Sequence, residues 1–311
     1  MPTRRSFAER MKEYGKTDHD FTVFDSDISH STYSYLFGEA FPDRYFNMGI
    51  AEMGTLSAAA GMAADGRTVV VCGYGVFLTM RAVEVIRSFI CYPHLNIKFL
   101  SSHAGLSAAI DGVTHQATED IAFMSSLPNM TIFAPCDTLS ASRIFDLAME
   151  TSGPVFTRLM REPFFDIYDE TDYFKYGGSN LIVQGKDITI AAYGDMVFQA
   201  LEAKEILEKR NISAEIIDFY SIKPFDWLGL KSSIEKTGAL LVVENHQKRN
   251  GLAYDIGIRI LKEHPIPFDH IGLDDCFGES GEYHSVIEKY ELSSRNIVDK
   301  VVKLLSLKDK N

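Results

Sequence analysis

Short apolar runs alternate along this chain with longer segments whose apolar positions recur every three or four residues. Runs at 21–24, 69–72, 97–100 and 131–133 carry no polar alternation. They read as strands buried on both faces rather than on one. Between them, helical spacing spans 6–14, 55–64, 79–89, 117–126 and 139–150. In 6–14, Phe7, Met11 and Tyr14 share one side. Strands and helices in this order predict a parallel sheet with helices on both faces.

The alternation breaks at 168–185, a polar stretch containing Gly177-Gly178-Ser179-Asn180. It resumes with strands at 188–193, 212–219 and 240–244 and helices at 197–209 and 251–261. Ala200, Leu201, Ala203, Lys204 and Leu207 mark one side of the 197–209 segment, and apolar segments at 286–290 and 297–305 close the chain. The expected fold class is α/β, as two consecutive domains with mainly parallel sheets, 1–175 and 176–311. There is no solenoid-length repeat and no low-complexity segment.

At 311 residues, with 46% hydrophobic and 24% charged positions, the chain can bury two full cores. Its net charge of −12 argues against a general nucleic-acid or anionic-membrane surface, though a few local cations can still hold an anionic substrate. Cys72, Cys91, Cys136 and Cys276 are widely spaced, and no C-x-x-C pair suggests zinc or a disulfide framework. The charged segment 1–16 lacks the apolar centre of a secretory signal, and no apolar run approaches the roughly 20 residues that span a bilayer. The expected compartment is the cytoplasm.

Candidate chemistry begins at Asn47-Met48-Gly49-Ile50-Ala51-Glu52-Met53-Gly54, where one carboxylate sits in a small, apolar run just ahead of a helix. Two readings stand for Glu52. It can be a carboxylate favoured in the first turn by the helix dipole. It can also be a buried, functional acid in an apolar setting.

Further segments add weight to the second reading. They are Phe77-Leu78, Ser101-Ser102-His103-Ala104-Gly105-Leu106 and Asp111-Gly112-Val113-Thr114-His115-Gln116. Together with Glu52 they resemble the pyrimidine-binding domain of thiamine-diphosphate enzymes. Transketolases carry G-x-x-E, T-F-L, H-D-S-I-G-x-G-x-D-G-P-T-H-Q and, later, S-R. The likeness is nearest to the separately encoded C-terminal subunit of split transketolases. It runs from Thr3-Arg4 to Phe277-Gly278-Glu279-Ser280-Gly281, and D-G-x-T-H-Q is its most specific piece.

The resemblance implies roles residue by residue. Glu52 matches the carboxyl group that hydrogen-bonds N1′ of the cofactor's aminopyrimidine and promotes its imino tautomer. Phe77 matches an aromatic wall of that ring. Met80 and Val83 stand where two further aromatics are usual, so they either border a less aromatic cofactor pocket or form a core-facing stripe. Asp27 matches a residue that touches the cofactor across a subunit interface. His103, Asp111 and His115 match donor-sugar contacts: the phosphate, the hydroxyl beside the carbonyl, and the carbonyl or its adjacent hydroxyl, respectively. Ala104 and Ser107-Ala108-Ala109-Ile110 depart from the family filling, which leaves donor preference open. Arg4, Ser31 and Arg161 match the anion-binding positions, where planar guanidinium groups suit phosphate. Arg4 and Arg158 equally admit a solvated surface charge.

A G-D-G segment followed by a later asparagine, which binds Mg²⁺ and the diphosphate in such enzymes, is not found. The resemblance therefore implies an N-terminal partner subunit that supplies the Mg²⁺ ligands, and an α2β2 assembly. Segments 218–226 and 244–246 resemble the transketolase C-terminal domain, to which the family gives an assembly role; His246 has no assigned task. The expected function is transfer of a two-carbon ketol unit from a ketose phosphate, or a similar anionic ketose, to an aldose. Other readings are the beta half of a 2-oxo-acid dehydrogenase, a deoxyxylulose-phosphate-synthase-like half, or a partner-binding subunit without catalysis.

Overall fold

The computed structural model describes residues 1–308; the last residues of the expected second domain, 309–311, lie outside the described residues. In chain order the strands are β1 (Phe21–Asp25), β2 (Tyr45–Asn47), β3 (Thr68–Tyr74), β4 (Ile97–Ser102), β5 (Thr131–Phe133) and β6 (Val155–Arg158), then β7 (Asn180–Val183), β8 (Ile188–Ala192), β9 (Ala214–Asp218), β10 (Ser221–Lys223), β11 (Leu240–Gln247) and β12 (Phe268–Leu273). They form two sheets. The first has the order β10-β5-β6-β4-β3-β1-β2, and the second β12-β11-β8-β9-β7. Both are parallel except for β10 against β5 and β7 against β9.

Strands β1 and β4 are buried along their whole length, as their mainly apolar runs predict for a sheet covered on both sides, and β6, which the sequence reading does not mark, is buried in the same way. Helix Thr3–Tyr14 packs with helix Thr138–Glu150 over one face, through Phe7, Met11 and Phe145. Helices Glu52–Ala64 and Gly75–Val85 cover the other, through Leu56, Ala59, Leu78 and Ala82. Helix Thr138–Glu150 starts at a reciprocal capping box between Asp137 and Ser140.

Three of the differences from the expectation bear on the site. The 117–126 helix is reduced to Asp120–Ser125. The Ala117 and Thr118 carbonyls instead accept from the Gly105 and Gln247 amides, both at 2.8 Å, so tertiary bonds take the groups a first helical turn would use. The 79–89 helix begins earlier, at Gly75, and runs into a π-helical segment, Ile86–Cys91. Strand β10 lies beyond the polar break yet joins the first sheet, and Lys223 donates to the Ser125 and Leu127 carbonyls. The two units are therefore stitched together by shared strand pairing.

Candidate functional site

Ligands of parallel α/β sheets sit outside the carboxyl ends of the strands. Four adjacent strands, β6-β4-β3-β1, end here at Arg158, Ser102, Tyr74 and Asp25. The candidate residues Arg161, His103, Phe77 and Asp27 follow directly. Helix Thr3–Tyr14 brings Arg4 to the same end, because Thr3 Oγ1 accepts from the Met160 amide at 2.8 Å.

Glu52 is the first residue of its helix and only 7% exposed. Its side chain does not cap the helix; Ala51 occupies that position. Nor is its setting purely apolar, as the sequence reading expects. Arg81 Nη1 donates to Glu52 Oε1 at 3.0 Å, and the Arg81 guanidinium also lies 4.3 Å from the centre of the Phe77 ring. Arg81 follows Phe77 by one helical turn, so both project from the same side of helix Gly75–Val85. The Arg81 guanidinium, a flat N–H-bearing group, thus touches both the Glu52 carboxylate and the Phe77 ring. The Arg81 side chain is half exposed. Met80 is 39% exposed and is not a core-facing residue, whereas Val83 packs against the core.

From Phe77 an aromatic row leads to the second cluster. The Phe77 and His115 rings lie 5.3 Å apart, His115 and Tyr74 5.6 Å, and Tyr74 and His103 4.0 Å. His103 is 1% exposed and in left-handed backbone conformation, φ 64°. Its Nδ1 pairs with Ser102 Oγ at 2.8 Å, and its Nε2 faces Asp111 Oδ2 at 3.5 Å and Arg4 Nη1 at 3.4 Å. Burial, reinforced by Arg4 and Arg161, pushes the His103 pKa down to about 2, so the ring is neutral at physiological pH.

Two guanidinium groups border this neutral histidine. Arg4 donates to the Ser31 carbonyl at 2.8 Å, which places Ser31 beside it, and Arg4 Nε is buried without a partner among the described residues. Burial lowers the Arg4 pKa, and neighbouring Arg161 lowers it further. Arg161 donates to the Ala108 carbonyl at 3.1 Å and lies 3.9 Å from Asp111. An orphaned donor and two converging cations suit an anion. Arg158 is neither a surface charge nor part of this pair. It is 2% exposed, donates to Asp120 Oδ2 at 2.8 Å, and ties the Ala117 and Asn245 carbonyls together. Asp27 is exposed at the end of β1, φ 64°, and accepts from Asn47 Nδ2 at 3.1 Å; no contact joins it to Glu52 among the described residues.

Sequence reasoning missed Arg81 and Tyr74. The first was readable as the partner one turn after Phe77; the second ends an apolar strand and carried no signal of its own. His246 also gains a place. It is buried, its Nε2 accepts from the Ala122 amide at 3.3 Å, and Nδ1 meets the Gln247 carbonyl. It supports the start of helix Asp120–Ser125 and does not reach the strand-end cluster. Among the described residues, no group of three or more His, Cys, Asp or Glu side chains is placed to hold a metal ion, and no helix is long and apolar enough to cross a membrane.

Comparison with known proteins agrees with this geometry. Residues 1–164 match the family "Transketolase, pyrimidine binding domain" and residues 177–297 match "Transketolase, C-terminal domain". A 6-deoxy-6-sulfo-D-fructose transketolase subunit of a Clostridium species is 32% identical over 95% of this chain and 92% of its own. One of the apulose-4-phosphate transketolase subunits of Phocaeicola vulgatus is 31% identical over 94% of each chain. A solved split-gene transketolase, described as an inactive β4 tetramer, is 39% identical with a TM-score of 0.92 over 99% of each chain. The chain belongs to the transketolase family, and the three relatives named here, each matched over more than nine-tenths of its own length, are described as transketolase subunits or as a split-gene transketolase.

Proposed function

We propose that the chain is the C-terminal subunit of a split thiamine-diphosphate-dependent transketolase. It would move a two-carbon ketol unit from a ketose phosphate, or a similar anionic ketose, to an aldose, and turn over only with an N-terminal subunit. The observation that carries this reading is the continuity of the site. The row Phe77–His115–Tyr74–His103 links the Glu52–Arg81 pair at Phe77 to the cluster of Asp111, Arg4 and Arg161.

Thiamine diphosphate, on which transketolases depend, would when bound supply a nucleophilic carbon for ketol transfer. Glu52 would hold the aminopyrimidine through a hydrogen bond and exchange a proton with it, after Arg81 gives way. Phe77 would stack on that ring, with Met80 at its border and Asp27 approaching from the subunit interface. His115 would move a proton at the donor carbonyl oxygen, and Asp111 would accept from the adjacent hydroxyl. His103, held neutral, would donate or accept one hydrogen bond without adding charge. Arg4 and Arg161, with Ser31, would take the terminal anion.

The Mg²⁺ and diphosphate ligands are assigned to the partner, in an α2β2 assembly. The inactive β4 tetramer of the solved relative supports dependence on a partner. Two relatives are named for 6-deoxy-6-sulfo-D-fructose and for apulose 4-phosphate, which keeps phosphate, sulfonate and branched donors in the test. Residues 1–175 would form the pyrimidine-binding unit, and 176–311 the C-terminal one.

The test is reconstitution with a G-D-G-bearing N-terminal chain. The donor panel is xylulose 5-phosphate, fructose 6-phosphate, 6-deoxy-6-sulfofructose and apulose 4-phosphate. Ketol transfer from at least one donor by the pair, with none by the single chain, supports the reading. Full transfer by the single chain, or cofactor binding by the pair without transfer from any donor, overturns it.

A further inference from the structure

We propose that Asn245, in the C-terminal unit, is a positioning residue that fixes loop 103–116 and so the spacing of His103 and Asp111 around a donor ketose. The consequence for the donor rests on the function proposed above; the grip on the loop does not.

The argument starts in the second sheet. Strand β8 connects onward to β9 on one side, while β11 connects to β12 on the other. The carboxyl ends of adjacent β8 and β11 therefore flank a crevice of the kind that receives ligands in open α/β sheets. Here the crevice is filled by the chain's own first unit. Asn245 lies near the end of β11, is 1% exposed, and has its side chain committed at both ends. Its Oδ1 accepts from the Leu106 amide at 2.9 Å, and its Nδ2 donates to Asp195 Oδ2 at 2.6 Å. Tyr283 donates to the same Asp195 oxygen at 2.6 Å, and Arg158 donates to the Asn245 carbonyl at 2.8 Å. Leu106 itself is fully buried in an apolar cluster that residues of both units build.

The loop is shaped to this contact. Gly105 has φ 53°, and a Cβ there would stand 2.5 Å from Asn245 Cγ, so only glycine fits the approach. At the far end Gly112 has φ 77°, and a Cβ there would collide with Ser280 Oγ. Gln116 Nε2 donates to the Glu279 carbonyl at 3.0 Å, and the Gly281 amide reaches the Ala109 carbonyl at 3.4 Å. Between the two grips, Ala109 is held at φ 46°, and the turn Leu106–Asp111 ends on Asp111. His103, at φ 64°, precedes the first grip by three residues. Both ends of the turn that separates His103 from Asp111 are thus set by the second unit. A C-terminal unit serving assembly alone has no need of such contacts.

The test uses Asn245→Ala, which removes the acceptor of a buried amide. In the free subunit, hydrogen exchange of the Leu106 amide should accelerate about tenfold or more, while β3 and β4 keep their protection. In the reconstituted pair, KM for the best donor of the panel should rise about tenfold or more, with kcat changing less and cofactor affinity unchanged. The paired exchange Asn245→Asp with Asp195→Asn reverses donor and acceptor. It should restore both the protection and the donor KM that Asn245→Asp alone loses, and it provides the same readouts where Asn245→Ala does not fold. Unchanged Leu106 exchange, or faster exchange with an unchanged donor KM, overturns the proposal. Absence of ketol transfer by the unsubstituted pair instead overturns the functional reading, while the exchange result still decides the grip.

Discussion

Arg81 donates a hydrogen bond to the Glu52 carboxylate across 3.0 Å, in the position where a cofactor would have to meet that carboxylate. The pair is half exposed on the arginine side, and such pairs contribute about 0.2–1 kcal/mol. Removing the arginine should therefore ease loading rather than hinder it. We expect Arg81→Met to tighten thiamine diphosphate binding in the reconstituted complex by up to about fivefold, measured by titration calorimetry. A tenfold loss of affinity would instead make Arg81 part of the loaded site.

The buried neutral His103 ties stability to acidity. Its pKa lies near 2 in the folded chain against an ordinary 6.5, because burial disfavours the charged ring. Between those values the unfolded chain binds a proton that the folded chain does not, so stability falls as pH drops below about 6.5. Relative to His103→Asn, the unsubstituted subunit should lose about 1.4 kcal/mol per pH unit in that window. His246 is lowered to about 4, and Asp218 and Glu244 are raised to about 7, all chiefly by burial; these contributions cancel in the comparison. Urea midpoints at pH 5, 6 and 7 measure the difference. Parallel slopes for the two proteins would show that His103 carries its charge when folded.

Arg161 is oriented by the Ala108 carbonyl and stands beside Asp111. Loss of one charge-assisted hydrogen bond costs about 1.5–3 kcal/mol. Arg161→Ala should accordingly raise KM for phosphorylated or sulfonated donors by about 10- to 150-fold, with a smaller change in kcat. The uncharged parent ketose should be affected far less. An equal effect on charged and uncharged donors would reduce Arg161 to a prop for the 106–111 turn.

What could be read in the sequence was local. The pattern around His103, Asp111 and His115 is contiguous, and those residues fall in one loop after β4. Mainly apolar runs marked β3 and β4 because a parallel strand buries both faces. The rest depends on distant segments. Strand β10 has three residues, two of them polar, and exists only because β5 offers it an edge. Arg158 looked like a surface charge because its partner Asp120 lies 38 residues away. Asn245 sits 139 residues from Leu106, and nothing near either one announces the contact. Arg81 is the exception: a guanidinium one turn after Phe77 could have been paired with that ring from spacing alone.

The central claim is that Glu52 is a working acid–base group rather than a helix-end charge. Glu52→Gln keeps the side-chain volume and hydrogen-bonding reach, so fold and assembly should survive. It cannot relay a proton, and loss of one acid–base function costs about 10²–10⁴ in rate. The direct measurement is hydrogen–deuterium exchange at C2 of thiamine diphosphate in the reconstituted complex, followed by quenched NMR. The account predicts that exchange drops by that factor in Glu52→Gln while cofactor affinity falls much less. Exchange at the unsubstituted rate would contradict it, leaving Glu52 as the ion-pair partner of Arg81 and nothing more.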